Sequence, residues 1–153
     1  MIKLNRPPAP VEITDSRLMK KATSELYRYM NQVGNERFKA NPMAFSEFRP
    51  FLAEMSNHKC AYCESALGSS SPVQIDHFRP KSGVKGEGVF LERHYFWLSY
   101  EWNNLIPCCA ICTRSKMNFF PLMDESKRSP VMGGAEHLAN ENPLIINPCE
   151  VDP

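Results

Sequence analysis

The sequence predicts an α+β fold, with N-terminal helices leading into a small core of short strands and turns. Three observations carry that prediction. Apolar residues recur with helical period over the first third of the chain. From Cys60 onward, short strand-like and turn-like stretches replace the long amphipathic ones. Two Cys-x-x-Cys pairs, Cys60 with Cys63 and Cys109 with Cys112, bracket this second region. With 153 residues, 42% hydrophobic and 23% charged, the chain has room for one domain with a real core and is too apolar for wholesale disorder. Three segments follow: an arm with helices over 1–57, a cysteine-bounded core over 58–122, and an acidic extended tail over 123–153.

Residues 1–13 are Pro-rich and read as an extended lead-in. Thr14 or Asp15 is the expected cap of the first helix. Its apolar face is Leu18, Met19, Ala22, Leu26, Tyr29, Met30 and Val33, and Gly34 is its stop. A second series, Phe45, Phe48, Phe51, Leu52 and Met55, predicts a helix from about Ser46 to about Ser56, so placed that Pro50 falls in its first turn. Val73 to Phe78 reads as a strand. Residues 81–89 read as a loop rich in Gly and Lys, without the spacing of a phosphate-binding loop. Residues 95–106 are aromatic and apolar, and Trp97, Tyr100 and Trp102 are assigned to the core rather than to a base-stacking surface. A short helix is expected over 113–118. The tail carries the apolar patch Leu144, Ile145 and Ile146.

The formal net charge is +1, which excludes a protein holding nucleic acid by bulk charge alone. That sum hides an uneven distribution. All 18 basic residues precede position 129, and the remaining segment holds four acids. Arg79, Lys81, Lys85, Arg93, Arg114 and Lys116 together could face a phosphate backbone. No run of 18 apolar residues exists, so no membrane span is expected. The N-terminus lacks the apolar stretch of a signal peptide, and a cytoplasmic location is expected.

Two Cys-x-x-Cys turns can offer four thiolates to one tetrahedral ion, which suits structural Zn2+ on Cys60, Cys63, Cys109 and Cys112. A disulfide framework is the alternative, and it requires export to an oxidising compartment. Cys108 and Cys149 read as small buried hydrophobes. Between the two turns lies Asp76-His77, at the end of the expected strand. A carboxylate there can hold Mg2+, and a neutral imidazole beside it can take a proton from water. The dipeptide alone is a weak signal, and its surroundings give it weight.

Those surroundings resemble the HNH endonuclease family. The order is Cys60-x-x-Cys63, a strand ending in Asp76-His77, Asn104 before the second turn, Cys109-x-x-Cys112, then a short helix with Lys116. The resemblance implies a ββα-metal, treble-clef-like core clasped by a four-Cys zinc. It further implies Asp76 as a ligand of catalytic Mg2+ or Mn2+, His77 as general base, and Asn104 as the residue steadying the loop that carries it. Arg79, Lys81, Arg114 and Lys116 would bind the phosphates of DNA, with RNA an open alternative. Where the family usually has Asn or His after the last cysteine, this chain has Thr113, and Asn118 is a second candidate ligand nearby.

A narrower likeness covers roughly 51–153. The stretches KCAYCE at 59–64, IDHFRPKS at 75–82, YFWLSYEWNNLIP at 95–107, KMNFFPL at 116–122 and PLIINPCEVDP at 143–153 are similar to bacterial HNH proteins of anti-phage defence. These are the nuclease subunits of Septu systems and similar effectors encoded beside certain retrons. The resemblance implies an ABC/SMC-like ATPase partner. Such proteins usually continue past the last of these stretches, so either a shortened form or a piece of a longer chain is expected here. A catalytically weakened, zinc-stabilised binding module is the alternative, with Thr113 as its support. Weaker site candidates are His58, beside the first turn, and His94, as a phosphate contact or spare metal ligand.

Overall fold

The computed structural model describes residues 3–32, 36–68, 71–86 and 88–150. Val33 and Gly34, the expected end of the first long helix, lie outside them.

A one-turn helix α1 (Val11–Thr14) precedes α2 (Arg17–Met30). The cap of α2 is Ser16, one residue beyond the expected positions. Its hydroxyl accepts from Leu18 N at 3.1 Å and Met19 N at 3.2 Å. Thr14 and Asp15 are occupied by α1, where both donate to the Val11 carbonyl. Helix α2 buries Met19, Ala22 and Leu26, the expected stripe. Helix α3 (Ala44–Met55) starts earlier than the proline rule predicts, so Pro50 stands in its interior. The missing N–H costs the Ser46 carbonyl its helical partner. Both residues are exposed, so water can serve that carbonyl, while Phe48 and Leu52 hold the opposite face in the core.

The centre of the fold is an antiparallel pair, β1 (Gln74–His77) with β4 (Leu105–Cys108), in which Asp76 faces Ile106 and His77 faces Leu105. Successive side chains of a strand take opposite faces, and the core divides accordingly. Leu105 joins a cluster with Ile13, Met19, Ala22, Phe48, Leu52 and Trp102. Ile106 joins a second cluster with Phe78, Val84, Tyr95, Leu98, Phe120 and Leu122. The stretch 81–89, expected as a loop, contains β2 (Val84–Lys85), which pairs with β3 (Phe90–Leu91) in a short hairpin. Strands of two residues are too brief for alternation to show. Helix α4 (Ala110–Lys116) follows β4 directly and starts three residues before the expected position. The Cys109 Sγ accepts from Cys112 N at 3.4 Å and caps it.

The tail is not wholly extended. It contains α5 (Ala135–Asn140), and beyond it Glu141 is buried against the core. Glu141 accepts from Arg79 Nε at 2.7 Å, the Tyr95 hydroxyl at 2.5 Å and Ser129 N at 2.8 Å. The N-terminal arm is pinned as well. Arg6 donates to the carbonyls of Trp102 and Leu105 at 2.6 and 2.7 Å and to Cys149 Sγ at 3.2 Å. Leu4 N donates to Pro148 O at 2.7 Å. No helix among the described residues is long and apolar enough to cross a membrane.

Candidate functional site

Cys60, Cys63, Cys109 and Cys112 converge, with all four sulfurs within 4.8 Å of one another. Backbone bonds shape the first turn: Cys60 N donates to Ser65 O, and Glu64 N to Cys60 O. Ala61 N donates to Pro107 O at 2.9 Å, which ties this turn to β4. Four Zn–S bonds of about 2.3 Å in a tetrahedron set sulfurs about 3.8 Å apart. The Cys63 and Cys109 sulfurs are 3.8 Å apart. All six cysteines are free, so the thiolate set fits Zn2+. Hydrogen bonds from Ser65 lower the Cys63 thiol to about 6 and favour the ligating thiolate. Cys108 is buried and its thiol is raised to about 12 by burial, while Cys149 is half-buried against Arg6. His58 stands apart from the four-cysteine group.

On β1 the two neighbours part. His77 turns toward α3 and Asp76 toward α4. The His77 Nε2 lies 2.9 Å from the Ser99 carbonyl, and Phe45 packs edge-on at 5.2 Å. A carbonyl only accepts, so Nε2 carries the proton and Nδ1 keeps its lone pair. Burial, then the positive charge of Lys81, lowers His77 to about 3, so the ring is neutral at neutral pH. Behind it, Asn104 accepts from Arg79 N at 2.8 Å and donates to the carbonyls of Arg79 and Leu98 at 3.0 and 3.1 Å. Asn104 thus joins the turn after β1 to the segment before β4.

The Asp76 Oδ2 accepts from the Tyr62 hydroxyl at 2.8 Å and pairs with Lys116 Nζ at 3.1 Å. Lys116 also donates to the His77 carbonyl at 2.7 Å. Burial raises the Asp76 carboxyl, opposed by Lys116 and Tyr62. Burial lowers the Lys116 ammonium, opposed by Asp76. Asp76, His77, Lys81, Thr113, Arg114 and Asn118 line one cavity of about 300 Å³, together with Met117. Mg2+ is usually held by one or two carboxylates, with water and substrate phosphate completing the shell. Asp76 and Asn118 on one cavity fit that sparse demand. The Thr113 hydroxyl is 2.6 Å from Cys108 Sγ, so it is already engaged.

Of the nine catalytic, ion-ligating or phosphate-binding candidates, six therefore line one cavity; Asn104 and Lys116 do not, and neither does Arg79. Its guanidinium pairs with Glu141, donates to Leu138 O and lies over the Phe78 and Phe120 rings. His94 is buried, edge-on to Tyr95 and Trp97, rather than presented to phosphate. Trp102 is buried and stacks on Phe48, as assigned. Sequence reasoning missed Tyr62 and Glu141. Tyr62 lies inside the first Cys-x-x-Cys turn, and that position was its only signal.

A four-cysteine cluster beside a strand pair and helix bearing an Asp-His site defines a zinc-fitted α+β protein with a basic cavity. Among curated proteins, the chain is 35% identical to Septu protein PtuB of Bacillus mycoides (strain KBAB4), over 100% of this chain and 52% of that protein. It is 27% identical to Septu protein PtuB of Bacillus thuringiensis, over 97% of this chain and 48% of that protein. It is also 33% identical to Septu protein PtuA of Bacillus mycoides (strain KBAB4), over 65% of this chain and 14% of that protein. The chain thus spans about half the length of the PtuB proteins it matches. No protein-family model matches it. No solved structure matches it either.

Proposed function

We propose that the chain is an HNH-type endonuclease component of a Septu anti-phage defence system, hydrolysing phosphodiester bonds in DNA. One observation carries the reading: Asp76 and His77 border a single cavity with Lys81, Arg114 and Asn118, and His77 is held there as a neutral imidazole. In this reading Zn2+ on the four cysteines holds the core together. His77 Nδ1 accepts the proton of an attacking water, and the Ser99 carbonyl keeps the ring in the required tautomer and orientation. Lys81 and Arg114 orient the phosphate at the cavity. A divalent ion, Mg2+ or Mn2+, held by Asp76 and Asn118 would neutralise charge on the phosphate and the leaving oxygen.

The likeness to proteins named PtuB and PtuA supports work beside a partner protein. By the resemblance drawn from the motifs, that partner is an ABC/SMC-like ATPase. The test is plasmid cleavage by the zinc-loaded protein, alone and with such a partner, in Mg2+ or Mn2+. Nicked or linear DNA is expected, and His77→Ala should abolish it. Zinc-loaded protein that never cleaves sinks the nuclease reading. Cleavage surviving His77→Ala sinks the assignment of the base. A second reading, a zinc-stabilised nucleic-acid- or protein-binding module without catalysis, is favoured by Lys116 on Asp76 and by the engaged Thr113 hydroxyl.

A further inference from the structure

Lys116 was expected to meet phosphate, yet it is turned inward. Its side chain is 8% exposed and that of Asp76 is 6% exposed. From the last residue of α4, the ammonium reaches back to two groups of β1. It meets Asp76 Oδ2 at 3.1 Å and the His77 carbonyl at 2.7 Å. Tyr62 reaches the same carboxylate oxygen from the zinc-binding turn, at 2.8 Å. The carboxylate that would hold a divalent ion therefore already has a cation on it.

We propose that Lys116 is the resting counter-cation of Asp76 and competes with a divalent ion for that carboxylate, with Tyr62 keeping the carboxylate in place during the exchange. The proposal rests on the reading of Asp76 as an ion ligand. A lysine is suited to the part because its ammonium is a compact point charge on a flexible stem, with no fork that binds a carboxylate in two places. Two cations on one buried oxygen repel strongly where the dielectric is low. The ion's arrival must therefore displace Lys116. A substrate phosphate in the cavity that Asp76 borders would offer the released ammonium another anion. Lys116 is in this sense a positioning residue: it acts through Asp76 and keeps the site from loading fully before substrate is present.

The experiment is Mn2+ binding to the zinc-loaded full chain without DNA, read by electron paramagnetic resonance. Lys116→Met removes the competitor and leaves Asp76 buried without a counter-charge, so Mn2+ should bind about tenfold tighter than to wild type. Lys116→Arg retains the charge and should bind no tighter than wild type. The double variant Lys116→Met with Asp76→Asn should lose the gain. Unchanged or weaker binding by Lys116→Met overturns the proposal, as does a gain that survives Asp76→Asn. A second measurement uses the wild type alone. Mn2+ should speed reductive methylation of Lys116, mapped by mass spectrometry, and leave the exposed Lys20 unaffected. An unchanged Lys116 rate overturns the proposal even if no variant folds. Plasmid cleavage with no gain in Mn2+ affinity sinks the competition and leaves the nuclease standing. The gain without cleavage does the reverse.

Discussion

Glu141 and Asp76 are both buried carboxylates, and each accepts from a tyrosine hydroxyl and pairs with a basic side chain. Their settings differ. Glu141 has no exposed side-chain surface and takes donors on both oxygens, from Arg79, Tyr95 and Ser129. Arg79 is committed to it by a planar guanidinium that also holds Leu138 O. Asp76 borders a cavity, and its partner is a lysine whose ammonium can leave without breaking a fork. A carboxylate, a tyrosine hydroxyl and a cation make a closed staple in one place and a pair beside a cavity in the other. What separates them is completeness of bonding and access to water.

Breaking each network should expose that difference. The largest effect is expected at the four-cysteine cluster, whose first turn also carries Tyr62 to Asp76. Cys60→Ser should remove zinc and with it on the order of 10 kcal/mol of metal-coupled folding free energy. Metal analysis should fall from about one zinc per chain to none, with loss of the folded circular dichroism signal. Next comes Glu141→Ala, which strands Arg79 in the core. Urea denaturation should show a loss of about 3–5 kcal/mol. Asp76→Asn should cost less, about 1–3 kcal/mol, because Lys116 keeps the His77 carbonyl and water can enter from the cavity. The same variant should abolish DNA cleavage, so stability and activity separate at Asp76. Least is expected of Arg114→Ala, exposed at the rim. Stability should stay within about 0.5 kcal/mol. Titration of DNA against salt should lose about one unit of slope.

Legibility in the sequence followed the range of the interaction. The cysteine turns, the stripe of α2 and strand β1 are local patterns, readable because spacing alone determines which side chains share a face. The convergence of Asp76, His77, Lys81, Thr113, Arg114 and Asn118 was reachable only through the motif order. The Arg79 pairing was not readable, since its partner lies 62 residues away in a stretch taken as an acidic tail. Pro50 misled for another reason. An interior proline costs about 3 kcal/mol even on an exposed helix face, and here the packing of Phe48 and Leu52 on the opposite face outweighs it. The pairing of Lys116 with Asp76 was not readable either, because sequence carries no sign of which way a long side chain turns.

Arg6 carries a consequence in time. Its partners are the carbonyls of Trp102 and Leu105 and the thiol of Cys149, the last 143 residues further along. At a synthesis rate of about 5–20 residues/s, the arm waits roughly 7–30 s for its last partner to emerge from the ribosome. Strand β4, whose Leu105 carbonyl Arg6 closes, is likewise late. The Arg6 segment, made before all of its partners, is thus among the last to dock fully, and for that interval a nascent chain carries its Pro-rich arm without the Cys149 contact.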